Sequence, residues 1–268
     1  MTKQISLSDK LRSGTPVITG WSFLSEPMIV EMFARAGYPA VTVDMQHGTY
    51  DFDGARDALS AIALGGAHRI ARIPLADNAM AGRLADMGAE CLIAPMINSR
   101  EEAVAFARAI KYPPVGDRSF GPFRAAQLSG ESSEEYLKTA NSQLVSLAMI
   151  ESQEAIDALD DILSVPELDG VFVGPSDLSL SLSNGEGVDP NGEGTAEICA
   201  MIADKTAQAG KIPGVFCLNA DKVKEAIQQG FKLITHGIDI AFINDSAKTA
   251  LSDVDGLPSE KPGALTTY

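Results

Sequence analysis

Leu144-Val145-Ser146-Leu147-Ala148-Met149-Ile150-Glu151 and Gly170-Val171-Phe172-Val173-Gly174-Pro175-Ser176-Asp177 are two short apolar runs, each closing on a carboxylate. An amphipathic pattern at 153–163 lies between them. Strand, helix and strand at this spacing make a right-handed crossover between parallel neighbours. The same rhythm extends in both directions. Strands are predicted at 16–20, 40–44, 69–73, 91–95, 144–150, 170–173, 213–217 and 232–235. Amphipathic helices are predicted at 26–37, 53–64, 78–88, 99–110, 153–163, 195–209, 220–229 and 239–251. Gly37, Gly88, Gly210 and Gly230 each end a helical pattern, where a left-handed cap is wanted. Eight such units predict an α/β fold closed as a (β/α)8 TIM barrel, one domain over 1–252 with a polar tail at 253–268. Two segments break the rhythm: 112–143, rich in Gly, Pro and Arg, and the Gly/Asn/Asp-rich 183–194. Both are expected beyond strand C-termini, where barrel enzymes place catalytic loops.

Composition narrows the function. The 268 residues are 45% hydrophobic, with no run near the roughly 20 apolar residues of a membrane helix. The N-terminus carries no secretory pattern. Cys91, Cys199 and Cys217, odd in number and widely spaced, predict reduced thiols and a cytoplasmic protein. A net charge of -15 argues against nucleic-acid and anionic-membrane partners. It also repels a small anionic substrate, so a local positive centre is required, either an Arg or a metal ion.

Barrel topology gathers the residues past each strand on one rim. They include Trp21, the only Trp; Asp44-Met45-Gln46-His47; Arg72; Glu151; and Gly174-Pro175-Ser176-Asp177. Adjacent strands lie about 4.8 Å apart, so Glu151 and Asp177 can share one cation. Two protein oxygens with room for water suit Mg²⁺, Mn²⁺ or Co²⁺. The plainer alternative is that each carboxylate caps the helix that follows it. Arg72 either points into the barrel mouth, where its fork fits a carboxylate or enolate oxygen, or pairs on the outer rim with Asp77 or Glu90. His47 stands three residues after Asp44, which could orient its ring. N–H groups from Ser176 onward open a helix and could bind a carboxylate, with Pro175 shaping the turn. Phe216 lines either a substrate pocket or the core. His68 precedes its strand and has no assigned role; His236 is a weaker rim candidate. The loops after the seventh and eighth strands lack a Gly-rich phosphate cradle.

Together these motifs resemble the HpcH/HpaI aldolase family, the class II pyruvate aldolases. The resemblance runs from about Gly14 to Thr249. Its most specific stretches are Gly20-Trp21, Val43 to His47, Ala94-Pro95-Met96, Tyr112 to Gly121, Met149-Ile150-Glu151 and Asp169 to Leu178. It implies a barrel of the phosphoenolpyruvate/pyruvate type, usually hexameric through an exchanged C-terminal helix. It implies Glu151 and Asp177 as metal ligands and Arg72 as stabiliser of the enolate oxygen. It also implies an acid–base dyad of His47 with Asp44, and a Gly174–Ser176 cradle for the carboxylate of a 2-oxo acid. The reaction expected is addition of pyruvate or hydroxypyruvate to an aldehyde, and its reverse, with Trp21, Gln46 and Phe216 at the substrate. Many members carry Glu where this chain has Gln46, and several carry Gln where it has Met149. The pattern lies closer to a subgroup resembling hydroxyketoacid aldolases. Two alternatives remain: a coenzyme A-dependent malyl- or citryl-type lyase, which would want a basic surface, and a non-catalytic barrel that binds 2-oxo acids.

Overall fold

The computed structural model describes residues 5–252 and Val254. Eight parallel strands close into a barrel in chain order. They are β1 (Val17–Ser22), β2 (Ala40–Asp44), β3 (His68–Arg72), β4 (Cys91–Ala94), β5 (Val145–Ile150), β6 (Gly170–Val173), β7 (Ile212–Cys217) and β8 (Leu233–Ile238). The helices are α1 (Leu7–Arg12), α2 (Pro27–Arg35), α3 (Phe52–Gly65), α4 (Asn78–Asp86), α5 (Arg100–Ile110), α6 (Phe123–Ser129), α7 (Ser133–Gln143), α8 (Gln153–Asp157), α9 (Leu159–Leu163), α10 (Pro175–Leu182), α11 (Glu193–Gln208), α12 (Ala220–Gln228) and α13 (Asp239–Ser252). The predicted barrel is the observed one.

The strands read as near-continuous apolar runs because both faces are covered. Their alternation divides the core in two. Val17, Trp21, Ile70, Ile93, Leu147 and Phe172 belong to the cluster inside the barrel. Val41, Val43, Ala71, Leu92, Ala148 and Ile150 belong to the layer between sheet and helices. Leu7 and Leu11 of α1 join the inner cluster, so α1 plugs the N-terminal end of the barrel.

Three expectations need correction. The helix predicted over 153–163 is two short helices meeting at Ala158. The 112–143 segment is not a rim loop. It follows α5, so the chain has already crossed back to the N-terminal end of the barrel. There it forms α6 and α7, with Ser8 Oγ donating to Ser142 O (2.9 Å) and Arg118 paired with Asp86 at the end of α4 (2.6 Å). His236 belongs to the helix-facing side of β8: its register partner is Cys217, a member of the outer cluster. The predicted tail at 253–268 lies, apart from Val254, outside the described residues.

Candidate active site

Strand register delivers the charged groups. Asp44 and Arg72 are direct partners across β2 and β3, the last residue of each. Both face inward at the C-terminal end of the barrel. Arg72 Nε donates to Asp44 Oδ1 at 3.0 Å, and its Nη2 pairs with Asp44 Oδ2. Trp21 Nε1 donates to the same carboxylate at 3.0 Å, and the Arg72 guanidinium lies 5.1 Å from the Trp21 ring centroid. Among the described residues, Arg72 Nη1 meets only the Met149 sulfur, at 3.9 Å. The outer-rim alternative for Arg72 does not hold, since Glu90 is taken by His68 and Arg69 at the other end of the barrel.

Asp44 is completely buried and its oxygens are occupied by this fork, by the indole and by the backbone N–H groups of Gln46 (2.9 Å) and His47 (3.3 Å). Asp44 holds Arg72 and, through these backbone N–H groups, the turn that carries His47. The His47 side chain is exposed and lines the cleft above. Trp21, expected at the substrate, is fully buried beneath the site and acts through Asp44 and Arg72. Gln46 does not line the cleft; its side-chain oxygen is buried without a partner.

Glu151 follows β5 and is only 2% exposed. The neighbouring strands β5 and β6 pair Ile150 with Val173, which brings the β6–α10 turn alongside it. Burial pushes the Glu151 carboxyl up to about 7, opposed by the Met96 N–H and Arg72 and reinforced by the charges of Asp177 and Asp44. The capping alternatives fail: Ser152 caps α8, and α10 has Gly174 at its N-cap with no side-chain bond, leaving Asp177 in its first turn. Gly174 is required by close approach, because a Cβ there would stand 2.5 Å from Glu151 Oε1 and 2.9 Å from its Cγ. Gly174, Pro175, Ser176 and Asp177 all line the cleft. Among the described residues no group of three or more His, Cys, Asp or Glu converges on one point. Glu151 and Asp177 both line the cleft, and the charge of Asp177 acts on the Glu151 carboxyl.

Several contributors were not foreseen. Met96 adopts a left-handed backbone (φ 53°), costly for a side chain, and its N–H donates to Glu151 Oε2 at 2.9 Å. The Ala94-Pro95-Met96 motif was the only signal, and it carried no role. Asp239, fully buried, accepts from Ser22 Oγ (2.7 Å), from the N–H of Phe23 (2.9 Å) and from the N–H of Leu24 (2.9 Å). It fixes the β1–α2 loop and with it Phe23, a wall of the cleft. Leu180, Val188 and Pro190 form another wall, and Phe216 of β7 also lines the cleft. Phe216 additionally meets Trp21 edge-on at 5.2 Å, so it serves both cleft and core. Counted together with the open solvent at its mouth, the cleft encloses about 1400 Å³.

The sequence profile of the HpcH/HpaI aldolase/citrate lyase family matches residues 18–245. The hydroxypyruvate/pyruvate aldolase of Rhizorhabdus wittichii is 38% identical over 244 residues, covering 91% of this chain and 96% of the relative. The 4-hydroxy-2-oxo-heptane-1,7-dioate aldolase of Klebsiella pneumoniae is 32% identical and covers 91% of each. The crystal structure of an HpcH/HpaI aldolase from Desulfitobacterium hafniense superposes with a TM-score of 0.86 at 27% identity, covering 97% of this chain and 100% of that one. A family match over most of the barrel, with relatives that are carbon–carbon lyases, makes this chain an aldolase belonging to the HpcH/HpaI aldolase/citrate lyase family.

Proposed function

We propose that the chain catalyses reversible aldol addition between pyruvate, or hydroxypyruvate, and an aldehyde, with Mg²⁺, Mn²⁺ or Co²⁺ held by Glu151 and Asp177. The observation that carries this is Glu151 itself. A buried carboxyl pushed to about 7 beside the charge of Asp177 is an arrangement that a divalent cation relieves. A hard cation suits two carboxylate oxygens with open positions, so the donor set fits. When bound, the cation supplies Lewis-acid polarisation of the donor's keto group.

The protein's own groups do the rest. Ser176 and Asp177 offer backbone N–H groups at the start of α10 to the 2-oxo acid carboxylate. Arg72 is clamped by Asp44 on its Nε and Nη2 edge, which leaves Nη1 to hold the negative oxygen of the enolate. His47, on the rim of the same cleft, accepts the C3 proton. The enolate carbon then bonds to the aldehyde carbonyl carbon, and the new alkoxide takes up a proton. Cleavage reverses these steps. The names of the relatives, hydroxypyruvate/pyruvate aldolase and 4-hydroxy-2-oxo-heptane-1,7-dioate aldolase, support the donor class. We also place the protein in the cytoplasm as a hexamer of single barrel domains spanning 1–252.

The test is proton exchange at the pyruvate methyl group in D₂O, followed by NMR with the metal-loaded protein, after chelation, and with Arg72→Lys. Exchange should require the cation. It should fall about 10²–10³-fold in Arg72→Lys, because a point-charge ammonium replaces a planar fork poorly. Full exchange after chelation, or by well-folded Arg72→Lys, overturns the proposal.

A further inference from the structure

The cleft is divided by polarity, and the closed strand order shows how. The charged and proton-handling groups come from one arc: His47 after β2, Arg72 on β3, Glu151 after β5 and Asp177 after β6. The remaining lining is largely apolar: Phe216 on β7, Phe23 after β1, and residues of the loop between α10 and α11. That loop carries Val188 and Pro190, and Leu180 stands beside them on α10.

These apolar groups are held in place. Ser179 Oγ donates to Ser176 O (2.8 Å) and accepts from the Asp189 N–H (3.0 Å). Thr195 Oγ1 donates to Asp189 O at 2.9 Å. Ser183 Oγ donates to Gly187 O (2.8 Å). Val188 therefore sits between two fixed carbonyls, those of Gly187 and Asp189. Yet Val188 is 56% exposed and Leu180 is 37% exposed. Anchored apolar side chains left open at the mouth of a cleft are what a ligand covers.

Charge sharpens the point. Among the described residues lining the cleft, the only side chain with a permanent positive charge is Arg72, and two of its nitrogens are spent on Asp44. The chain as a whole carries a net charge of -15. An aldehyde bearing a second carboxylate would set that group against Leu180 and Val188 with no cation to meet it. Burying an unpaired carboxylate is costly, whereas an alkyl or aryl group there gains by leaving water.

We propose that Leu180 and Val188 determine acceptor specificity, and that the acceptor is an uncharged aldehyde with an apolar substituent rather than the semialdehyde of a dicarboxylic acid. This rests on the aldolase reading of the same site. The probes are 4-methylpentanal and 4-oxobutanoate, which differ mainly in an isopropyl or a carboxylate end. Each is offered with pyruvate to the metal-loaded full chain. Every aldol rate is divided by the same protein's rate of oxaloacetate decarboxylation, which uses the enolate but no aldehyde.

The wild type should favour 4-methylpentanal by roughly tenfold or more in kcat/KM. Val188→Arg and Leu180→Arg should each move that ratio toward 4-oxobutanoate by a similar factor. Both positions are partly exposed, so the substitutions do not cut into the core. Decarboxylation with equal or better use of 4-oxobutanoate overturns the inference and leaves the proposed reaction standing. An unchanged ratio in both variants removes these two residues as determinants and overturns it as well. Neither decarboxylation nor aldol addition, with the cation present, overturns both.

Discussion

Glu151 stands where ionisation is hardest, 2% exposed and facing the charge of Asp177, so its protonation is the site's most informative variable. Its carboxyl is raised from an ordinary 4.5 to about 7. In the cation-free protein the unfolded chain ionises this group near 4.5, while the fold keeps its proton until about 7. Between those values the native state binds more protons, so stability falls as pH rises, by roughly 3 kcal/mol once both forms are charged. A bound cation acts in the opposite sense, because it needs the ionised form. Apparent affinity for Mn²⁺ should therefore drop as pH is lowered below about 7, approaching tenfold per unit. Calorimetric titration at pH values about one unit apart on either side of that value measures this. Glu151→Gln should bind weakly and lose the steep pH dependence. A flat profile in the unmodified protein would show that Glu151 is not a ligand.

The barrel's elements were largely legible because apolar runs carry their own length and period. The predicted 40–44 and 170–173 coincide with β2 and β6. β8 runs on to Ile238, beyond the predicted 235, because His236 and Gly237 do not read as strand. The rim carboxylates were legible as charges closing apolar runs. The 112–143 segment was misplaced because its Gly, Pro and Arg content hid two helices, although Ser132 and Glu135 spell a capping box. The roles of Met96 and Asp239 could not be read, since one acts through a backbone N–H set by its backbone angle and the other through contacts more than 200 residues away in the chain. Asp239 joins β8 and α13 to the β1–α2 loop, so its loss should be felt by all three. Asp239→Ala leaves the Phe23 and Leu24 N–H groups and the Ser22 hydroxyl without their acceptor. A loss of about 3 kcal/mol is expected in urea unfolding. Ser22→Ala removes the bond to Asp239 and the one to the Tyr50 hydroxyl, and should cost about 2 kcal/mol. A variant Asp239→Ala within about 0.5 kcal/mol of the wild type would remove this clamp from the account.

Across the whole molecule, charge and surface pull in different directions. A net charge of -15 favours separated chains, yet the C-terminal helix exposes Ile240 (43%), Phe242 (39%) and Ile243 (51%). Asp239 is the only residue of α13 that is buried, so this helix has not found a full apolar partner within the described residues. Beside it α2 exposes Met28 (68%) and Met32 (64%), four apart and hence on one helical face. Phe33 of α2 meets Phe242 of α13 edge-on at 5.6 Å, so the two helices touch. Exposed apolar side chains grouped along a helix mark a surface of association. Light scattering on the purified chain at micromolar concentration should give a multiple of the monomer mass, and six is the expected number. Ile243→Asp places a carboxylate in the middle of the patch, on a side chain that is already half exposed and carries little of the monomer's core. It should yield smaller species while circular dichroism stays that of the folded barrel. A monomer mass for the unmodified protein across that concentration range would refute association. An unaltered oligomer in Ile243→Asp would move the contact to another face.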